Sequence, residues 1–195
     1  MRPGPRPVIR GEVIDTIRLA IEQGRELYVA YRSRHSGRSS GRRLHPYGFL
    51  LGKQHNLVGM SPGRHPGDAR LFALGQIQLA SVSDRTFVRD SAFSLQKFTE
   101  RSFGVFQEEP YDIVWKLSPP VADVAVEYVF HPGQSMEKQR DGSVIVQFRA
   151  GGLMEVCWHL YTWGANVEVL APFELQELME KARMHQNFRH EAAPD

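Results

Sequence analysis

Basic side chains recur within a stretch whose pattern is that of two β-strands joined by a polar turn. The segment GRRLHPYGFLLGKQHNLVG, residues 41–59, contains two arginines, a lysine and two histidines. Guanidinium and imidazole groups donate hydrogen bonds to phosphate and carboxylate oxygens. The stretch therefore indicates one of two things: a site that holds an anion, or ordinary polar side chains that face solvent.

Five side chains, from this stretch and from the predicted strands beside it, have the chemistry of a cleft for phosphate and base together. They supply one planar ring, two guanidinium groups and two imidazoles. The five are Tyr31, Arg42, His45, His55 and Arg70. Antiparallel strands bring residues of successive segments to within about 5 Å of each other, so we predict that the five line one anion-binding cleft. Within RRLHPYGFL, strand alternation places His45, Tyr47 and Phe49 on the same face.

Signals of catalysis are weak along the whole sequence. No glycine-rich phosphate loop follows a predicted strand, and no serine has a recognisable base partner. His185 and His190 are five residues apart on a polar terminal helix, a spacing that does not match metal sites. We therefore predict that the protein is not an enzyme and uses no metal or cofactor. A hydrolase or nuclease that uses His45 and His55 is the catalytic alternative, although the sequence offers those histidines no obvious carboxylate partner.

The single cysteine lies in an apolar helical stripe. Cys157 shares this stripe with Leu153, Val156 and Leu160, so we expect a buried structural thiol and not a nucleophile. One cysteine excludes an internal disulfide framework, and no apolar run approaches the roughly 20 residues of a membrane span. With no signal-peptide pattern at the start, these features predict a cytoplasmic location.

Charge is distributed unevenly between the two halves. Residues 1–75 carry 13 Lys/Arg and 5 Asp/Glu, a balance of +8, whereas residues 76–195 carry 11 and 17, a balance of −6. This asymmetry predicts that the first half meets an anionic partner. Solvated arginines on loops would produce the same count.

The first half has the pattern of one helix followed by closely spaced strands. Apolar residues at helical period predict a helix over residues 10–23, and Gly24 fits its end. Alternation and turn residues predict strands at 26–34, 44–51, 55–60, 70–74 and 77–82. Five short strands at this spacing predict a small β-barrel domain over residues 10–83, after a flexible arm or linker stub at residues 1–9.

The second half has a different order of elements. Residues 84–109 mix aromatic and charged residues without a sustained period, and they predict a linker whose aromatic side chains dock on a domain. From Tyr111 the order is strand, helix, two strands, helix and strand, with a further helix after Pro172. This order predicts a ferredoxin-like α/β domain over residues 110–188 and a tail at 189–195. The predicted fold class is α+β.

The segments and their order resemble the WYL-domain family. The family pattern has a strand ending in tyrosine, an arginine four residues before a proline, a W-Y-L segment, and an R-x-F-x-L-D-R-I segment. The corresponding segments here are VAYRS, RRLHPYGFLL, HNLVGM and RLFALGQI. Three segments of the second half are similar to the C-terminal extension that follows this domain in many members: RDGSVIVQF, WHLYTWGANVEVLAP and FELQEL.

The resemblance implies an Sm-like or SH3-like barrel followed by an α/β extension, acting in regulation of bacterial transcription. Members dimerise and sense a nucleotide or nucleic-acid-like effector. They contact DNA through a preceding helix-turn-helix domain. We expect no such domain within residues 1–195, and the sequence is equally consistent with a regulator that has one before residue 1 and with a protein that works without one. By the same resemblance, Tyr31, Arg42 and Arg70 match family positions, and His45 precedes the proline. The leading interpretation is a ligand-sensing, dimerising regulatory module. A barrel that binds single-stranded nucleic acid directly is the alternative.

Two segments depart from the family pattern. His55-Asn56-Leu57 stands in place of W-Y-L, and Gln76 stands where the family usually has an arginine. Gln76 is therefore included among the predicted ligand-binding residues. Loss of one charge-assisted hydrogen bond, worth roughly 1.5–3 kcal/mol, predicts a weakly held or less charged ligand.

Overall fold

The computed structural model describes residues 8–33, 36–52, 54–65 and 68–191, with side chains to residue 184. Most of the predicted arm, most of the predicted tail, and the side chains of His185 and His190 lie outside the described residues. The chain divides into two compact units, Met1–Phe98 and Thr99–Asp195. Each unit has its own sheet, and the mixed α+β class is as predicted.

In the described part of the first unit, a helix is followed by a five-stranded antiparallel sheet. The helix α1 spans Gly11–Glu22 and buries Val13, Ile17 and Ala20, which recur every three or four residues and so form one stripe. The strands are β1 (Arg25–Arg32), β2 (Ser39–Leu51), β3 (His55–Met60), β4 (Arg70–Ala73) and β5 (Ile77–Thr86). Their order in the sheet is β4-β3-β2-β1-β5.

The sheet of the first unit is strongly curled. In a flat sheet, three strand spacings would separate β1 from β4 by about 14 Å. The rings of Tyr31 on β1 and Phe72 on β4 nevertheless have centres only 5.6 Å apart. A three-residue helical turn, Leu74–Gln76, links β4 directly to β5, and β5 pairs with β1. Within the described part of the chain, β4 and β5 form no ladder with each other, so the strands do not close the barrel that their spacing predicts.

A bulge in β2 divides its side chains between two clusters. The pairing of β2 with β3 shifts register between Pro46 and Gly48, which adds one residue to β2. Tyr47 consequently packs with Val58 in one cluster, whereas Phe49 packs against the cluster that contains Leu57. The prediction that Tyr47 and Phe49 share a face is wrong, because strict alternation does not allow for the bulge.

The segment after β5 packs onto the first unit. Phe87, Phe93 and Leu95 cover Tyr47 and Met60, in agreement with the expectation that aromatic residues of this segment dock on a domain. Leu95 begins the helix α2 (Leu95–Glu100). Gly48 leaves room for this packing, since a Cβ atom there would lie 2.6 Å from the end of the Leu95 side chain, which would have to shift.

The described part of the second unit has a four-stranded antiparallel sheet and three α-helices. The strands are β6 (Tyr111–Leu117), β7 (Ser135–Lys138), β8 (Val144–Ala150) and β9 (Val167–Ala171). The helices are α3 (Pro119–Ala125), α4 (Leu153–Tyr161) and α5 (Phe173–Glu191). The sheet order is β7-β8-β6-β9, and Trp115 on β6 is fully buried at its centre. Among the helices of the described residues, none combines the length and the apolar character that crossing a membrane requires.

Candidate anion-binding site

Arg42 lies over two aromatic rings on the curled face of the first sheet. Its guanidinium carbon is 5.1 Å from the centre of the Tyr31 ring and 5.8 Å from the centre of the Phe72 ring. Arg42 is on β2, Tyr31 near the end of β1, and Phe72 on β4, so the curl of the sheet brings the three together. This arrangement, the Arg42–Tyr31–Phe72 cluster, contains two of the six predicted site residues.

The Arg42 guanidinium has unused hydrogen-bonding capacity. Its Nε donates to the Ser40 hydroxyl at 3.4 Å. In the described part of the chain, no carboxylate oxygen lies within the 4.0 Å of an ion pair with Arg42, whereas the adjacent Arg43 has Glu26 at 4.0 Å. A guanidinium has five N–H donors in a planar fork. The half-buried Arg42 can therefore offer several donors to an oxyanion while its flat face stays against the rings.

Arg70 is a neighbour of this cluster through Phe72. The two residues are two positions apart on β4 and so share a face. Arg70 and Phe72 line a small hollow of about 60 Å³ together with Ser61, Arg64 and Asp68. The hollow contains two guanidinium groups and one carboxylate, so its local charge is positive.

His45 belongs to a different cluster on the opposite face of β2. Its Nε2 atom is 3.1 Å from Oε1 of Glu26, and its ring stacks on Phe87 with centres 4.4 Å apart. Glu26 is deeply placed, with its side chain 10% exposed. The single cleft predicted from the sequence is therefore not formed, because residues three apart on a strand point to opposite faces.

The remaining predicted residues, His55 and Gln76, also lie apart from the cluster. His55 begins β3 and pairs with Leu51 at the β2–β3 hairpin. Gln76 lies in the turn before β5, where it lines a groove with Arg10 and Arg32. The structure thus brings Tyr31 and Arg42 together, places Arg70 beside their partner Phe72, and separates the other three.

Two residues of these clusters were missed by sequence reasoning. Phe72 is the aromatic residue of the segment RLF, and its spacing from Arg70 already places both on one face. Glu26 is a charged residue within an apolar strand pattern, and such a residue needs a partner. Both features can be seen in the sequence, but the residues that Phe72 and Glu26 contact depend on how the strands pair.

Shifted pKa values occur in the second unit, at Asp141, Cys157 and His159. The Lys116 ammonium and the Ser143 hydroxyl and N–H hold the pKa of the Asp141 carboxyl well below its usual range. Burial lowers the pKa of His159 and raises that of the Cys157 thiol. These shifts arise from surface pairing and from packing. Across the described residues, no group of three or more His, Cys, Asp or Glu side chains is arranged to hold a metal ion.

Two family models match the chain. The WYL domain model covers residues 12–82, and the WCX domain model covers residues 109–183. The fold and these matches define a two-domain protein in which a WCX domain follows a WYL domain. The chain belongs to the WYL-domain family.

Solved structures of low sequence identity are similar to this chain. A CRISPR Cas-related protein is 15% identical with a TM-score of 0.58, over 93% of this chain and 52% of that one. Proteasome accessory factor B/C (PafBC) of Arthrobacter aurescens is 20% identical with a TM-score of 0.43, over 91% of this chain and 27% of that one. This chain thus spans about half of the first protein and about a quarter of the second. The first similarity shows the fold. No curated protein sequence matches the chain.

Proposed function

We propose that this chain is the ligand-sensing, dimerising module of a bacterial transcription regulator, that its effector is a nucleotide or a similar anion, and that it catalyses no reaction. The WYL and WCX domains support the regulatory part of the proposal. The Sm-like and ferredoxin-like descriptions of the two units belong to the same proposal and rest on their strand orders. DNA contact would come from a helix-turn-helix domain elsewhere in the regulator.

The proposal of an anionic effector rests on the Arg42 guanidinium, which lies over the Tyr31 ring and has no carboxylate partner among the described residues. A phosphate that accepts hydrogen bonds from Arg42 would gain roughly 1.5–3 kcal/mol from a charge-assisted bond. A base that stacks on an aromatic side chain would add about 1–3 kcal/mol. Arg42 and the partly exposed ring of Tyr31 therefore provide both kinds of contact within one cluster, whereas Phe72 is buried beneath them.

Sensing requires that the effector distinguish between two states of the regulator. A ligand shifts such an equilibrium only as far as its affinities for the two states differ. Arg42 and Phe72 lie on β2 and β4, which are not adjacent in the sheet. A ligand that holds Arg42 in its contact with Phe72 would favour the state in which the sheet is most curled.

The test compares two adjacent arginines on opposite faces of β2. A fluorescently labelled single-stranded oligonucleotide is titrated with the wild-type chain, Arg42→Ala and Arg43→Ala, and binding is followed by anisotropy. We expect Arg42→Ala to weaken binding by roughly tenfold or more and Arg43→Ala to change it little. Since both variants lose one positive charge, equal losses would mean that the oligonucleotide responds only to net charge, and the site would be wrong.

The excess of basic residues in the first 75 positions also favours the alternative, a direct binder of single-stranded nucleic acid. Competition separates the two functions. A sensor of a small effector predicts that a mononucleotide displaces the labelled oligonucleotide through Arg42. A strand binder predicts that affinity grows with oligonucleotide length and falls steeply with salt, with little competition from mononucleotides.

A further inference from the structure

A second groove in the first unit is lined by basic and amide side chains. It has a volume of about 470 Å³ and lies where the start of α1, the end of β1 and the start of β5 meet. The polar side chains that line it are those of Arg10, Arg32, Ser33, Gln76 and Gln78. Among the lining residues that the structure describes, none is an aspartate or a glutamate. Arg10 precedes the part of the chain that the WYL model covers, residues 12–82.

Both arginines are held in place without being neutralised. Nη1 of Arg10 donates to the backbone oxygen of Gln78 at 3.2 Å, and Nε of Arg32 donates to the backbone oxygen of Gly37 at 3.3 Å. Neither guanidinium has a carboxylate oxygen within 4.0 Å in the described part of the chain. By contrast, Arg18 on α1 forms an ion pair with Asp15. Each guanidinium therefore keeps most of its five N–H donors for another acceptor.

Gln78, which lies in a β-bulge, supplies the groove with a further hydrogen-bond donor. Ala30 pairs with Leu79 and Tyr31 with Ile77, so Gln78 is the extra residue of β5. Its side-chain oxygen already accepts a hydrogen bond from the Ser39 hydroxyl at 2.6 Å. The side-chain nitrogen remains, with two N–H donors and no hydrogen-bond partner among the described residues.

We propose that this groove is a second anion-binding site, and that it takes a phosphate group of a nucleotide or of a nucleic-acid strand. The groove is lined by two guanidinium groups that have no carboxylate partner among the described residues, and by one amide nitrogen. An oxyanion satisfies such a set of donors. The inference that the phosphate belongs to a nucleotide or to a nucleic-acid strand rests on the proposed function. The inference that the groove binds an anion does not rest on it.

The test monitors residues that line the groove by nuclear magnetic resonance of the whole chain labelled with nitrogen-15. Inorganic phosphate, a mononucleotide and a single-stranded oligonucleotide are each titrated. The signals observed are the backbone amides of Gly37 and Gly75 and the side-chain amide of Gln78, all of which line the groove. We expect at least one of the three probes to shift these signals in a saturable manner.

The variants separate a site from general surface charge. Arg10→Gln combined with Arg32→Gln should weaken the binding that shifts these signals by roughly tenfold or more, because each arginine supplies a charge-assisted hydrogen bond. It should also lower the salt dependence of oligonucleotide binding by about 1 per lost phosphate contact. Arg18→Gln is the matched control and should leave the shifts unchanged, since Arg18 does not line the groove.

The outcomes distinguish this proposal from the proposed function. If phosphate shifts the groove signals but the chain binds no oligonucleotide or nucleotide through Arg42, the groove stands and the proposed function fails. If an oligonucleotide binds through Arg42 while none of the three probes moves the groove signals, the groove proposal is overturned. The groove proposal is also overturned if the groove signals shift as much in the Arg10→Gln, Arg32→Gln double variant as in the wild type at the same probe concentrations.

Discussion

The guanidinium carbon of Arg42 lies 5.1 Å from the centre of the Tyr31 ring, and the edge of one ring of the Tyr31–Phe72 pair meets the face of the other at 5.6 Å between centres. A cation over an aromatic face gains about 0.5–1 kcal/mol at exposed sites and more where water is excluded. The aromatic pair adds about 0.5–1.5 kcal/mol. These contacts hold the guanidinium before any ligand arrives, so little side-chain entropy is lost on binding.

This relationship predicts that the Tyr31 ring, and not its hydroxyl, supports binding. Tyr31→Leu should weaken binding of a single-stranded oligonucleotide by several-fold, since it removes both the support of Arg42 and a stacking surface. Tyr31→Phe keeps the ring and should bind as the wild type does. Anisotropy titrations of the two variants check this, and an equal loss in both would assign the effect to the hydroxyl.

Elements that depend on local pattern could be predicted from the sequence. The helix predicted over residues 10–23 is observed at Gly11–Glu22, because Val13, Ile17 and Ala20 form a stripe at helical period. The strand predicted over residues 55–60 is observed at His55–Met60. In both cases, apolar spacing and bounding turn residues determine the element without reference to distant parts of the chain.

Features that depend on strand pairing could be predicted only in part. The odd separation of Arg42 and His45 already places them on opposite faces, so a single cleft conflicted with the strand period itself. The contact of Arg42 with Phe72 depends on the curl of the sheet, and that of His45 with Glu26 depends on the register of β1 and β2. Neither the curl nor the register follows from local periodicity.

The second unit should lose stability as the pH falls through the ordinary pKa of histidine. Burial lowers the pKa of His159 below its usual 6.5, and Nε2 of His159 is the acceptor for the indole N–H of Trp163 at 3.4 Å. Below pH 6.5 the unfolded chain therefore binds the proton more readily than the folded chain does. This contribution to the free energy of unfolding is complete above pH 6.5 and decreases as the pH falls, until the folded His159 is also protonated.

Urea unfolding followed by tryptophan fluorescence can measure this effect. All three tryptophans, at positions 115, 158 and 163, lie in the second unit, so the signal reports on that unit alone. His159→Gln should make the free energy of unfolding less dependent on pH between the neutral range and about pH 5. An unchanged pH dependence in this variant would show that other groups account for the loss.

The Cys157 thiol should react slowly in the folded protein. It is 2% exposed and packs in the core with Leu153, Val156 and Leu160, as predicted, and burial raises its pKa. A thiol reagent attacks the thiolate of an accessible cysteine, so reaction requires the second unit to open. We expect native labelling to be at least about a hundredfold slower than labelling in denaturant. Because the chain has one cysteine, labelling at equal rates would contradict this placement directly.

Glu155 should stabilise the second unit through a loop that it holds against α4. One oxygen of its carboxylate accepts the backbone N–H of Val105 at 2.8 Å and that of Phe106 at 2.9 Å. Glu155 lies in the first turn of α4, where a negative charge is also favourable to the helix dipole. Glu155→Ala removes both acceptors and should lower the free energy of unfolding by about 1–3 kcal/mol.

Glu174→Ala provides the matched control for this loss. Glu174 is an exposed acidic residue in the first turn of α5, so its removal changes the charge near a helix start in the same way. The residues described by the structure include no loop N–H that donates to Glu174, and we expect a loss below about 1 kcal/mol. Glu155→Ala should also alter the fluorescence of Trp158, whose ring lies 6.1 Å from that of Phe106 in the held loop. If the two variants lose equal stability in urea and Trp158 is unaffected, Glu155 acts through the helix dipole alone and does not hold the loop.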